Sequence, residues 1–303
     1  MSDRLKGIFL ASTTALLWGF LAIALKVADT NVDPLTIVWF RFTLAFSLLA
    51  IYHAIKAPKE LNILRKPPLL LVLAAIALSC NYMGYMNGIH YTSPGNTQII
   101  IQTGPILLGA YGFLIFKERL SKKQIFGFVV ASIGFLVFYR QQLKMLIGDE
   151  QTYNIGVWWV IFGATTWSVY AALQKVLVRT HKAQTLNMFL YGLPSLAFLP
   201  WVDFQSLGSL SVSGWALMAF LGLNTLVAYG TLGASFKYIE ANKISIIITL
   251  NPIITFGAMA VLSALDIQWI DAEKLNTLAI LGGLLVLAGA ILVVSKRKEQ
   301  NNK

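Results

Sequence analysis

Ala15-Leu16-Leu17-Trp18-Gly19 and Ala164-Thr165-Thr166-Trp167-Ser168 each place an alanine three residues before a tryptophan. A lysine follows each tryptophan eight residues later, Lys26 and Lys175, so the two stretches repeat at an offset of 149. A second series repeats at 147: Tyr82, Tyr91 and Pro105 against Tyr229, Tyr238 and Pro252. The prolines open matching patterns, Gly104-Pro105-Ile106 and Asn251-Pro252-Ile253. Gly127 and Gly134 match Gly282 and Gly289 after an insertion of eight. Matches in order at a near-constant offset point to an internal duplication. The halves fall at 1–145 and 146–303, with the polar stretch 141–154 as the linker.

Composition says what medium the two halves occupy. Hydrophobic residues make up 57% of the 303 and charged residues 12%. That is about half the charged fraction of an average soluble protein, too little to cover a water-facing surface. The net charge of +11 does not indicate nucleic acid: the basic residues lie between apolar runs, and no recognition motif accompanies them. Cys80 is the only cysteine, so neither an intramolecular disulfide nor a thiolate metal site is expected, and it reads as a packing residue. No cofactor and no metal are implied.

A spanning helix needs roughly 20 apolar residues. Ten segments approach this: 7–27, 34–55, 69–90, 95–116, 124–139, 155–177, 184–201, 213–236, 243–265 and 277–295. With the N-terminus in the cytoplasm, eighteen of the 24 Lys and Arg fall on inner segments, Arg4, Lys59, Arg119, Lys182 and Lys237 among them. The outer loops hold only Arg140, Lys144 and Lys274. The positive-inside rule therefore predicts both termini in the cytoplasm of an inner (plasma) membrane protein. Five spans per half is odd, so the halves must be inverted. Inverted repeats are a recurring plan of secondary transporters. The predicted fold is an all-α membrane protein, ten transmembrane helices as two inverted five-helix repeats around a central cavity. Its partners are the bilayer and a small-molecule substrate. Small residues near the fifth and tenth spans are compatible with a homodimer as well as a monomer.

These residues resemble the drug/metabolite transporter superfamily, in its ten-helix EamA-type branch, over nearly the whole chain. In the first half the resemblance rests on residues 15–19, Pro34, Arg41, Tyr91-Thr92, Pro105, Phe116-Lys117-Glu118-Arg119-Leu120, Gln124, Gly127 and Gly134. Trp167, Lys175, Tyr238, Pro252, Gly282 and Gly289 carry it in the second. The chain departs at 266–274, which reads as an insertion, so no role of Glu118 is carried to Asp266. The resemblance implies a ten-helix basket working by alternating access, and many similar members export amino acids or related metabolites.

Polar residues at membrane depth face protein or water rather than lipid. The candidate cavity lining is Trp18, Asn81, Tyr85, Gln98, Gln102, Trp167, Tyr170, Asn224, Tyr229 and Asn251. Asn81 and Tyr85 share a face, as do Gln98 and Gln102 and, one turn apart, Trp167 and Tyr170. For Trp18, beside Gly19 in the series Ala11, Ala15, Gly19, helix packing is the stronger reading. Arg41 is a candidate for anion binding, for an outer gate with Asp33 or Asp29, or for anchoring its helix by snorkelling. Lys26 and Lys175 are gate candidates at opposite faces, with helix-end anchoring favoured. Pro105 and Pro252 each remove a backbone bond near mid-span and allow a hinge.

No Asp or Glu lies near the centre of a span, and His53, His90 and His181 fall near helix ends as ordinary interfacial residues. A cavity of aromatics and amides suits a zwitterionic or neutral organic solute. The expected function is efflux of amino acids or similar metabolites. An exchanger or importer of phosphorylated or nucleotide-linked metabolites would need more cavity cations than Arg41. A remote alternative, an intramembrane enzyme, lacks H-E-x-x-H, G-x-S-x-G and central acids.

Overall fold

The computed structural model describes residues 2–92, 97–98, 100–138, 140, 151–265 and 277–294. The linker residues 141–150, the boundary at 145/146, the 266–274 insertion, Lys144, Lys274 and the basic C-terminal residues from Lys296 lie outside them. Among the described residues there are helices and turns and no strand. The main helices are α1 (Asp3–Asp29), α2 (Pro34–Lys56), α3 (Leu69–Tyr91), α4 (Thr103–Leu114), α5 (Lys122–Phe138) and α6 (Gln151–Leu177). They continue with α7 (Ala183–Ala197), α8 (Val212–Ser235), α9 (Ala241–Ile248), α10 (Asn251–Ala264) and α11 (Thr277–Val294).

Six stretches are long and apolar enough to cross a membrane: α1, α2, α3, Ile155–Leu177, α8 and the composite Ala241–Ala264. Shorter apolar helices cover Thr103–Leu114 and Ile280–Val293. Polar caps mark several starts. Ser2 Oγ accepts from Leu5 N at 3.4 Å, and Ser211 Oγ from Gly214 N at 3.2 Å. Asp33 accepts from Leu35 N (3.0 Å) and Thr36 N (3.1 Å) ahead of Pro34, satisfying donors that a helix start leaves open. The capping uses Oδ1 alone; Asp33 Oδ2 is buried without a hydrogen-bond partner, and no ion pair joins Asp33 to Arg41 among the described residues.

Helices α3 and α6 run along one another, as do α1 and α8, and α5 and α11. Helix α4 packs on α6 and α9, and α1 on α9 and α10. Backbone contact replaces side-chain packing where glycines meet. A Cβ on Gly84 would stand 2.7 Å from Trp159 O, and one on Gly163 3.1 Å from Asn81 O. The α5–α11 pair is closer still. Added Cβ atoms would stand 2.4 Å from Phe138 N at Gly282 and 2.5 Å from Gly127 O at Gly289, with 2.8 Å to Gly282 O at Gly134 and to Gly289 O at Gly127. Small-residue contacts of this kind drive helix association where lipid removes the hydrophobic incentive. These four glycines face each other inside one chain, so they do not supply a subunit surface.

Two spans expected to be continuous are broken. Ile101 and Gln102 form a turn ahead of α4, and Thr249 and Leu250 separate α9 from α10. Pro105 and Pro252 thus lie in the first turn of a new helix, not at mid-helix. A proline ring is tolerated there because the first turn has no intrahelical acceptor for its missing N–H. The seventh span also ends early, at Ala197, followed by a 3₁₀ turn over Leu199–Trp201. His53 is buried rather than interfacial, its Nδ1 bonded to Leu49 O at 2.8 Å.

Gly134→Leu is expected to destabilise the protein by about 1–3 kcal/mol, because the new side chain meets backbone that cannot step aside; thermal unfolding in detergent measures it. A second expectation concerns the loop carboxylate Glu60. Hydrogen bonds from Lys182 Nζ (2.9 Å) and Thr185 Oγ1 (2.8 Å) hold it below its ordinary value of 4.5. A depressed folded-state value adds stability above that pH and loses it as the pH falls below it. The melting temperature of the unaltered chain should therefore drop more steeply below about pH 4.5 than that of Glu60→Gln. The effect is small because the pair is exposed.

Candidate functional site: a central cavity between the helices

The breaks in the fourth and ninth spans open room at the centre. A cavity with an empty volume of about 580 Å³, its open side included, lies between α1, α2, α3, α4, α6, α8 and α9/α10. Eight of the ten expected lining residues border it: Trp18, Asn81, Tyr85, Gln98, Gln102, Trp167, Tyr229 and Asn251. Arg41 and Pro105 also border it, with Leu21, Tyr82, Ile101 and Ile248.

Aromatic rings form its floor. The Trp18 and Trp167 rings meet edge-on at 5.9 Å, and Trp18 meets Tyr229 at 5.2 Å. Tyr229 in turn touches Tyr82 at 5.8 Å and Tyr170 at 5.7 Å. Edge-on and tilted contacts set the positive edge of one ring on the negative face of the next. Amides make the wall. Gln98 Nε2 donates to Tyr85 Oη at 3.1 Å, and Gln102 Nε2 to Asn251 Oδ1 at 2.9 Å. The Gln98 and Gln102 Oε1 atoms are buried without a hydrogen-bond partner.

Two expected lining residues are elsewhere. Asn224 donates to Leu17 O at 2.8 Å and ties α8 to α1; its place on the α1 side of α8 takes it out of the cavity. Tyr170 lies fully buried beneath the floor, its hydroxyl bonded to Gln174 Oε1. That bond opens a chain: Gln174 Nε2 donates to Asn187 Oδ1 (2.8 Å), and Asn187 Nδ2 to Tyr229 O (3.1 Å). Pro252 does not border the cavity, although its neighbour Asn251 does.

The charged candidates divide. Lys26 sits in the last turn of α1 and makes no ion pair among the described residues. Lys175 is not a free anchor at a helix end. Its Nζ lies 2.9 Å from Glu118 Oε1, and both side chains are over nine-tenths buried. The same carboxylate accepts from Ala241 N (2.8 Å) and Asn242 N (3.1 Å), capping α9. Phe116 presents its ring to Lys175 Nζ at 5.3 Å. Glu118 therefore joins the end of α4, the end of α6 and the start of α9. Negative charge at a helix N-terminus is favourable by itself. This is the face where α1 begins, because Lys6 Nζ sits 4.6 Å from the Tyr238 ring centroid. The Glu118 cluster and the Tyr170–Gln174–Asn187 chain lie outside the cavity lining.

Arg41 is 2% exposed. Its Nε donates to Thr225 Oγ1 at 3.0 Å and its Nη2 to Tyr82 Oη at 3.3 Å, with the guanidinium 4.6 Å from the Tyr82 ring centroid. Asp29 stands instead 4.0 Å from His90. Sequence reasoning left Tyr82 out of the lining, yet Tyr82 is the repeat-mate of Tyr229 and was findable on that ground. Glu118 and Thr225 gave no such signal, since a partner across α6 or α8 is a tertiary fact. Among the described residues no His, Cys, Asp and Glu cluster could hold a metal ion.

A helical protein with several membrane-length helices around an aromatic, amide-walled cavity has the build of a polytopic solute carrier. The EamA-like transporter family model matches it twice, over residues 5–140 and 154–295, and the chain belongs to that family. The uncharacterized inner membrane transporter YhbE of Escherichia coli K12 is 34% identical over 94% of this chain and 90% of its own length. An uncharacterized transporter of Haemophilus influenzae is 31% identical over 95% and 94%. A probable amino-acid metabolite efflux pump of Salmonella typhimurium is 23% identical over 94% of each. One crystal structure superposes with a TM-score of 0.73 at 17% identity, covering 96% of this chain and 97% of that one, a likeness of fold. The family is one of transporters, not enzymes.

Glu118→Gln is expected to cost about 3–5 kcal/mol, because it strands a buried lysine charge. Adding Lys175→Met should recover part of the loss. Unfolding of the single and double variants in detergent measures the difference.

Proposed function

We propose that the chain is a secondary transporter that exports small organic metabolites, amino acids or similar solutes, across the inner membrane by alternating access. Ten spans form two inverted five-helix repeats, 1–145 and 146–303, around the central cavity, with both termini cytoplasmic. The observation that carries this is where the repeat-mates meet: Trp18 touches Trp167 and Tyr82 touches Tyr229 at the cavity floor. Residues related by a two-fold axis can touch only beside that axis. Other contacts follow the same operation. Asn81 Nδ2 donates to Gly163 O at 2.9 Å. Shifting Asn81 by 147 and shifting Gly163 back by 149 gives Ala228 and Thr14, and Thr14 Oγ1 donates to Ala228 O at 3.0 Å. Gly127 meets Gly289 and Gly134 meets Gly282, a pair of contacts that exchange when each glycine is replaced by its mate. The double match of one family model supports the same division.

In such a protein each half can adopt the other's conformation, which opens the cavity to the other side. The Glu118–Lys175 cluster closes the cytoplasmic face in the present state. The breaks before Pro105 and Pro252 serve as hinges. The efflux direction and the cargo class follow the name of the Salmonella relative and the uncharged amide wall. Without a central carboxylate, movement down the solute gradient needs no relay.

Purified protein in liposomes should move labelled amino acids in counterflow, and a broad metabolite panel that stays at the protein-free rate would refute transport. Trp167→Ala and Gln102→Leu should each slow flux about tenfold or more, the scale of one lost cavity contact, while the protein stays monodisperse. Unchanged flux would remove these two side chains from the pathway.

A further inference from the structure

Among the described residues, Arg41 is the one basic side chain bordering the cavity. Burying a charge is unfavourable unless it is paired and hydrogen-bonded. Here the pairing is incomplete. No carboxylate forms an ion pair with Arg41 among the described residues. Two of its five N–H donors go to the neutral hydroxyls of Thr225 and Tyr82. The Tyr82 ring face offers partial compensation. The other three donors take no hydrogen bond among the described residues. Thr225 and Tyr82 also fix the plane of the fork, so the free edge has one orientation. A planar fork with adjacent free N–H groups matches a carboxylate.

The same cavity holds the complementary half of a zwitterion. The buried Oε1 atoms of Gln98 and Gln102 lack donors, and an ammonium group has three N–H donors and no acceptor. Between them stand apolar walls, Trp18 and Trp167 with Ile101 and Ile248. We propose that Arg41 is the carboxylate receptor of the cavity, that Gln98 and Gln102 accept from the ammonium, and that the cargo is an α-amino acid with an apolar side chain. This rests on the transport reading above and narrows it. The carboxylate is the obligatory group, because it alone neutralises Arg41. An organic cation is excluded by like charge rather than by size. A doubly charged phosphate monoester is disfavoured too, since one guanidinium leaves one charge uncompensated.

The test is binding to the full chain in detergent, read by thermal stabilisation and titration calorimetry, with four probes of one carbon skeleton. They are L-phenylalanine, 3-phenylpropionate (no ammonium), phenethylamine (no carboxylate) and L-phenylalaninamide (carboxylate made neutral). L-Phenylalanine should bind best and 3-phenylpropionate more weakly, while phenethylamine and the amide should bind at least about tenfold more weakly than L-phenylalanine, the scale of a charge-assisted pair. Arg41→Gln should lose the preference for L-phenylalanine, and Arg41→Lys should retain part of it. Gln98→Leu should weaken L-phenylalanine while leaving 3-phenylpropionate unchanged. Equal binding of phenethylamine and L-phenylalanine overturns the assignment, as does absence of binding by both carboxylates, or an undiminished preference in Arg41→Gln. The probe series on the unaltered chain decides the matter if neither Arg41 variant folds. Binding is scored without transport, so a failed flux assay overturns the transport reading separately, and active flux with the wrong probe order overturns only this inference.

Discussion

In the hydrocarbon of a bilayer a polar group has no water to turn to, and this constraint sorts the polar residues of the protein into two sets. One set is satisfied by backbone carbonyls of neighbouring helices. Asn81 donates to Gly163 O, Thr14 to Ala228 O and Thr255 to Gly19 O. Each of these bonds joins two helices that also touch closely. The other set keeps free valence, and three of its members, Arg41, Gln98 and Gln102, border one cavity. A side chain whose hydrogen bonds are met by the fold holds the fold together. One whose bonds are left open beside the cavity is what the proposed cargo would satisfy.

Close helix contact and the cavity have a common origin in the same helices. Gly84 and Gly163 let α3 and α6 approach at backbone distance. That approach brings Asn81, Tyr82 and Tyr85 on one helix and Trp167 on the other to a shared surface. A side chain at either glycine would push the helices apart and move both walls. The breaks at 101–102 and 249–250 place Ile101, Gln102 and Asn251 on the same cavity. In the inverted-repeat reading both features occur twice, and the cavity lies where the copies cross.

Much of the helix pattern was legible in the sequence because lipid imposes one dominant rule, apolar length. Trp18, Gln102, Trp167 and Tyr229 were legible as a group because polar and aromatic side chains at depth have few tolerable surroundings. What could not be read was direction within a helix. Asn224 and Tyr229 lie five residues apart on α8, nearly one and a half turns, so one faces α1 and the other the cavity. The sequence shows that both are deep, not which way each points. Tyr170 failed for a related reason: its helix face was right, but it lies one turn past Trp167, below the floor. Lys175 and Glu118 are 57 residues apart and meet only because α4 packs against α6. The two broken spans were missed because hydropathy averages over a turn, and two residues out of helix barely change it.

In the alternating-access reading, the Glu118 cluster is a seal whose bonds can be exchanged for water. In the shut state one carboxylate binds an ammonium and two backbone N–H groups in a nearly dry setting, where charge-assisted bonds are strong. Separating α4, α6 and α9 would admit water to all of these groups together. Water then solvates Glu118, Lys175 and the first turn of α9, and an exposed ion pair is worth only about 0–1 kcal/mol. The full desolvated strength of the pair is therefore never lost at once; it is exchanged for hydration as the gap widens. A purely apolar plug of the same area would behave otherwise, since each exposed Å² costs about 25 cal/mol with no return from water. On the proposed mechanism, a charged seal at a helix N-terminus reconciles firm closure with opening.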